Sequence, residues 1–264
     1  MRINHFVFTR FNLGYIDYYN VKNPEEWLLY RMNLFYKYTY PTLTYQSEKN
    51  FKWVVLFDVQ TPSEFIDKFL IEDFESIISI GYTTIFDLSV YVKNYIKNYS
   101  KKEDILISTT LDSDDGLLPD FIHTIQNFVL TSDFFPYGIN IKDGYIVDIS
   151  TGFFHNKSFY SNPFYSLVEN QGNALGIYCF SHHILKEKFV TFDIDNSRLW
   201  LQNIHSSNLL NTIKGNVVIN YSGIDLKVLK LYRSRNFFSL LIMYLFFFKR
   251  MFYNFLVKIK IFND

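Results

Sequence analysis

The chain has 264 residues, 48% of them hydrophobic and 20% charged, which is a globular composition and excludes an intrinsically disordered one. Cys179 is the only cysteine, so no intrachain disulfide and no CxxC metal pattern can form. Net charge is zero, but the eight basic residues Lys227, Lys230, Arg233, Arg235, Lys249, Arg250, Lys258 and Lys260 face one acid, Asp264, in the last stretch. The basic excess is confined to an apolar tail, a pattern that argues against nucleic-acid binding.

The first predicted element is a buried strand from His5 to Phe11. A loop with Gly14 follows, and Asn23-Pro24-Glu25-Glu26 then opens a helix, with Pro at its first position and acids at the positive end of its dipole. Trp27, Leu28, Arg31, Leu34, Phe35 and Tyr38 recur at helical spacing, and Pro41 is expected to end or bend the helix. Phe51 to Asp58 reads as a second strand ending in an acid. Thr61-Pro62-Ser63-Glu64 has the form of a capping box.

A strand and then a helix are expected between Ile77 and Tyr99, and a third clear strand from Asp104 to Leu111. Leu117 to Leu130 should be helical, and Asp143-Gly144 within Tyr137 to Ser150 is a hairpin signal. Shorter elements follow at Phe189 to Ile204 and Val217 to Asn220. Strands alternating with helices predict an α/β fold with a mostly parallel central sheet. The expected division is a domain over 1–226 and a basic, apolar tail over 227–264.

The chemistry is concentrated in Asp112-Ser113-Asp114-Asp115, placed straight after a hydrophobic strand. Ligands bind at the carboxyl ends of strands in open α/β sheets. Carboxylates this close raise each other's pKa, and a divalent cation relieves the repulsion. Mn²⁺ or Mg²⁺ takes few carboxylates together with water and phosphate oxygens, so Asp112, Asp114 and Asp115 are candidate metal ligands. An EF-hand is excluded, because counting from Asp112 puts Leu117 where its glycine belongs and His123 where its glutamate belongs. A strand followed by DxD also resembles haloacid-dehalogenase-like phosphatases over Ile105 to Gly116, with Asp112 as nucleophile. That motif usually stands near a chain's start, and no later Asp-Asp partner is evident here.

Several blocks in order carry a broader resemblance. They are Phe8-Thr9-Arg10-Phe11-Asn12, Trp27 with Arg31, Tyr40-Pro41-Thr42-Leu43 with Gln46, Phe51 to Asp58, Thr110 to Asp115, Asn162-Pro163-Phe164 with Glu169, and Trp200 to His205. Over roughly residues 5–210 the chain resembles the rhamnosyltransferase family of bacterial surface-polysaccharide biosynthesis. The resemblance implies a GT-A-like nucleotide-sugar-binding fold and a metal-dependent glycosyltransferase, with rhamnose a candidate sugar. It implies Arg10 at the donor nucleotide, Asp58 at the nucleoside, and Asp112 and Asp114 at the diphosphate. His205 would be a further metal or diphosphate contact, and Glu169 the acceptor's base, with Asp193 and Asp195 as rivals. Arg31 pairs inward with either an acid or a phosphate. Where the family pattern often has an arginine two residues before the first Asp, this chain has Thr110.

The run Phe237 to Phe248 is shorter than the roughly 20 apolar residues that span a bilayer. Mixed with the lysines and arginines around it, the tail suits a helix lying on an anionic membrane surface. The expected partners are therefore a nucleotide-sugar donor, a saccharide or lipid-linked saccharide acceptor, and such a surface. The expected location is the cytoplasm, at the inner face of its membrane. A non-catalytic partner in glycan assembly is the remaining alternative.

Overall fold

The computed structural model describes residues 2–101, 104–129, 135–205, 213 and 215–232. In chain order the elements are β1 (Ile3–Arg10), α1 (Pro24–Leu34), α2 (Tyr40–Thr44), β2 (Lys52–Asp58), α3 (Ser63–Ile71), β3 (Ile78–Thr83), α4 (Leu88–Asn98), β4 (Ile105–Thr110) and β5 (Gly116–Leu117). They continue with α5 (Phe121–Phe128), β6 (Tyr137–Asp148), β7 (Phe153–Ser158), β8 (Ser166–Asn170), α6 (His182–Lys188), β9 (Val190–Ile204), β10 (Asn216–Val217) and α7 (Leu226–Tyr232).

The sheet runs in the order β10-β7-β6-β8-β4-β1-β2-β3, with β9 alongside β6 and β5 paired to β9. Its β4-β1-β2-β3 half is parallel, since β1 pairs β2 and β4 in parallel and β2 pairs β3 likewise. Antiparallel β8 follows, and β6 then runs parallel to β9. The expected α/β fold with a mostly parallel sheet is thus present, extended by antiparallel strands. The continuous apolar runs of β1 and β2 follow from burial on both faces. Val7, Trp53, Val55 and Ile107 join one core with Phe35, Phe69, Phe121 and Ile125. Phe6, Phe8, Val54, Leu56 and Leu106 pack on the opposite face with Val92 and Ile96.

Three local expectations are corrected. Asp143-Gly144 is no hairpin turn but lies inside β6, and the chain reverses after Asp148, where Asp148 pairs Phe153. Glycine is required there because a Cβ on Gly144 would collide with the Trp200 indole. Thr61 does not cap α3; its hydroxyl donates to Asp58 O at 2.7 Å and accepts from Asn12 Nδ2 at 2.8 Å. Pro41 does not end its helix. A π-helical turn over Phe35–Thr39 absorbs the irregularity, with Tyr40 N–H donating to Phe35 O, and α2 continues to Thr44.

Past the expected boundary at residue 226, α7 packs on the body. Val228, Leu229 and Tyr232 are buried with Tyr38 and Phe154. The expected membrane-surface segment from residue 233 onward lies outside the described residues. Among those described, no helix is long and apolar enough to cross a membrane.

Candidate functional site

The carboxyl ends of the parallel strands bring Arg10, Asp58 and the acid cluster to one edge of the sheet. Arg10 closes β1, where it pairs Leu56, and Phe8 two residues earlier pairs Thr110 at the end of β4. The chain leaves β4 through Leu111, whose N–H donates to Phe8 O at 3.0 Å, so Asp112 emerges beside Arg10. Arg10 Nη2 donates to Asp112 Oδ1 at 3.1 Å, with both side chains about 40% exposed. The Asp112 carboxylate raises the guanidinium's pKa further still, and the ring of Tyr178 lies 5.5 Å from its carbon. This is an accessible pair of opposite charges at the carboxyl edge of the strands, where open α/β sheets bind ligands.

The two following aspartates are buried and differently used. Asp114 Oδ2 accepts from Arg31 Nη1 at 3.0 Å and lies 2.8 Å from His205 Nε2. Burial alone would raise the Asp114 pKa, but the charge of Arg31 and the hydrogen bonds from His205 and Arg31 outweigh it and hold it at about 2. Arg31 also donates to the Ser113 hydroxyl and stacks 5.7 Å from the Trp27 ring. Thr39, on the π-helical turn, donates to Ser113 O at 3.0 Å. The sequence left open whether Arg31 meets an acid or a phosphate; in the structure it meets Asp114.

Asp115 has no cationic partner within bonding distance among the described residues. Its Oδ1 accepts from Asn203 N–H at 2.8 Å, and Asn203 Nδ2 donates to Asp114 O. Burial, then repulsion from Asp114 and Asp112, pushes its pKa well above the ordinary carboxylate range. The expected ligand set Asp112, Asp114, Asp115 and His205 therefore does not converge. Asp114 and His205 face each other, Asp115 faces Asn203 and Asp112 faces Arg10. Among the described residues no three His, Cys, Asp or Glu side chains form a cation site by themselves. Asp112 still fits a hard divalent cation, because it is an accessible strand-end carboxylate and Mg²⁺ is commonly held by one or two carboxylates plus phosphate oxygens.

The remaining expectations divide. Asp58 is at the right edge, but its carboxylate accepts from Gly14 N–H at 2.7 Å and Gln60 N–H at 3.0 Å. It braces the loop after β1, where Gly14 has φ +69°. Glu169 is not brought to the cluster. It lies on β8, opposite Leu106, four residues before Thr110 and so about 13 Å down the strand. Its oxygens accept from Leu175 N–H at 2.6 Å and Gly176 N–H at 2.9 Å, and it is 1% exposed. Burial raises its pKa in spite of those bonds. In the structure it holds the turn after β8, away from the acid cluster. Asp193 and Asp195 sit on β9, bound by Lys186 at 2.7 Å and Lys142 at 3.0 Å. Thr110, in the place of the family's arginine, donates its hydroxyl to Pro163 O, while Arg10 supplies the guanidinium that meets Asp112. Sequence reasoning missed Asn203, Thr39 and Tyr178. Asn203 alone had a signal, lying in the Trp200 to His205 block.

A parallel β3-β2-β1-β4 half-sheet, an antiparallel strand beside β4 and an acid cluster at the β4 carboxyl end together define a GT-A-like α/β fold. The family profile described as "Putative rhamnosyl transferase" matches residues 20–216, roughly three quarters of the chain. The chain belongs to that family. No curated protein sequence matches it. Among solved structures, S. aureus TarS 1-349 is 10% identical, covering 77% of this chain and 60% of that one, with a TM-score of 0.42. The same protein in complex with UDP-GlcNAc is 9% identical, covering 79% and 60%, with a TM-score of 0.43. The inositol-1-phosphate CTP transferase from T. maritima is 12% identical, covering 88% and 95%, with a TM-score of 0.38. The chain thus spans 60% of the TarS 1-349 chain. Likenesses this loose carry no further argument.

Proposed function

We propose that this chain is a glycosyltransferase that moves a sugar, with rhamnose the leading candidate, from a nucleoside-diphosphate donor to a growing surface glycan. One observation carries the proposal: Arg10 and Asp112 meet, half exposed, at the carboxyl edge of the parallel strands, on a turn fixed from below by Arg31, His205 and Asn203. A fixed turn holds its charged groups where a diphosphate would lie, and preorganised charge needs no rearrangement when the leaving group forms. Arg10 suits a phosphate oxygen, since guanidinium pairs with phosphate in a forked geometry. Asp112 would hold Mn²⁺ or Mg²⁺ together with the donor's diphosphate oxygens. When bound, such a cation supplies charge compensation to the departing diphosphate.

In the transfer, an acceptor hydroxyl oxygen bonds the anomeric carbon. The bond from that carbon to the diphosphate breaks, its electron pair leaves with the diphosphate, and the hydroxyl proton passes to a base. The buried acids play a different part. Arg31 keeps Asp114 ionised and immobile, so that Asp112 and Arg10 stand in a constant relation. The basic, apolar segment after residue 232 would hold the protein against an anionic leaflet, where each basic residue contributes about 1 kcal/mol. That would suit a lipid-linked acceptor.

The test is turnover. The full chain is incubated with UDP-, GDP- and dTDP-linked sugars and Mn²⁺, and released nucleoside diphosphate is followed by chromatography. One donor class should be consumed, and Asp112→Asn should slow its consumption at least tenfold. Consumption unchanged by Asp112→Asn, or none with any donor, would overturn the proposal. A covalent phosphate on Asp112 would establish the phosphatase reading in its place.

A further inference from the structure

An exposed aromatic ring stands on the same edge of the sheet, and none of the groups discussed so far accounts for it. Tyr160 is 74% exposed, yet its backbone is pinned. Its carbonyl accepts from Asn140 Nδ2 and from Lys186 Nζ, each at 3.1 Å. Lys186 Nζ lies 4.1 Å from the ring centroid, a cation–π contact that leaves the rest of the ring to solvent. Beside it Asp193 accepts from Asn140 Nδ2 and Lys186 Nζ, both at 2.8 Å. The ammonium and the amide hold that carboxylate below the usual range against the opposing effect of its partial burial. An open aromatic face on a pinned backbone, next to an ionised carboxylate, is the chemistry that takes a sugar ring. The face packs on the sugar's C–H surface, the Asp193 carboxylate has lone pairs left to accept from its hydroxyls, and Lys186, its three N–H groups engaged by Tyr160 O and both Asp193 oxygens, holds ring and carboxylate together.

The position relates this platform to the diphosphate edge. Thr110, two residues before Asp112, donates to Pro163 O. Asn162 N–H donates to Asn140 Oδ1 at 3.2 Å, and Asn140 in turn holds both Tyr160 and Asp193. Asn140 pairs Asp193 on β9, and Ile139 next to it pairs Ser166, which pairs Thr109. The platform is therefore level with the end of β4 and three strands across, on the order of 15 Å. We infer that Tyr160, with Asp193 and Lys186, forms a binding platform for the acceptor saccharide. The inference rests on the glycosyltransferase reading above, because it gives the platform's sugar the role of acceptor.

A glycan array probed with the full chain tests it, using wild type, Tyr160→Ala and Tyr160→Phe. Each protein is also melted with and without the nucleoside diphosphate of the best donor. The platform predicts that wild type retains a subset of the arrayed saccharides, that Tyr160→Ala loses at least tenfold of that binding, and that Tyr160→Phe keeps it. All three should show the same nucleotide-induced melting shift. Saccharide binding equal in Tyr160→Ala and wild type overturns the inference, as does wild type retaining no saccharide. A missing nucleotide shift with tyrosine-dependent saccharide binding intact would sink the donor reading and leave a saccharide platform standing.

Discussion

Arg31 decides how the acid cluster behaves. Its side chain and that of Asp114 are 17% and 12% exposed, so removing the guanidinium leaves a buried charge without its main partner. Arg31→Ala should cost about 3–5 kcal/mol in chemical denaturation, the usual penalty for orphaning a buried ion. A loss under about 1 kcal/mol would show that water replaces it. The neighbouring acids titrate in opposite senses. Asp114 is depressed to about 2 from 3.8, so its stabilisation is complete above its unfolded pKa and fades as pH falls from about 4 towards 2. Asp115 is raised, so its contribution is present below the unfolded pKa and lost as pH rises through the folded one. Asp115→Asn keeps an oxygen for Asn203 N–H and removes the repulsion. It should melt above wild type at pH 8, with the gap closing towards pH 4; a lower melting point at pH 8 would contradict this. At this scale the sequence disclosed that three acids crowd one turn. It could not disclose which partner each of them finds, because Arg31, His205 and Asn203 arrive from distant parts of the chain.

Elements were most legible where burial alone shapes the pattern. β1, β2 and β4 lie inside the sheet, and the apolar runs Phe6–Phe8, Trp53–Phe57 and Ile105–Ile107 within them announce them. The errors came where a residue serves a tertiary contact and not its local preference. Asp143-Gly144 has turn chemistry, yet Gly144 is the gap into which Trp200 fits, and Asp143 faces Arg198 across 3.7 Å. Gly144→Ala should therefore cost about 1–3 kcal/mol, as overpacking does, in a denaturant titration. A neutral result would mean that the indole can move aside. The surroundings of Glu169 were illegible for a related reason. Nothing local to an acid after an Asn-Pro-Phe turn announces that two backbone N–H groups of the following turn draw it inward. Thr61 carries a capping signature but spends its hydroxyl on joining β2 to the loop after β1.

For the molecule as a whole, the sheet order and the family match agree with the α/β nucleotide-sugar fold implied by the ordered sequence blocks. The position of α7 was not legible, since its apolar residues merge with those of the tail. Tyr232 stacks on Tyr38 at 5.1 Å, and Tyr38 precedes the threonine that holds Ser113. A chain ending after residue 232 should therefore keep its fold and its nucleotide binding and lose sedimentation with phosphatidylserine vesicles. One ending at residue 225 should also lose stability, as read by its melting point. Equal vesicle binding with and without the segment after residue 232 would remove the membrane role from the account.

The central claim is that Arg10 and Asp112 form a diphosphate site. Calorimetric titration of the full chain with UDP, GDP and dTDP, with Mn²⁺ and then with EDTA, tests it most directly. One nucleoside diphosphate should bind, the cation should be needed, and Asp112→Asn should weaken binding at least tenfold, which is about 1.4 kcal/mol. Binding untouched by Asp112→Asn, or no nucleotide binding alongside clear binding of orthophosphate, would contradict the account.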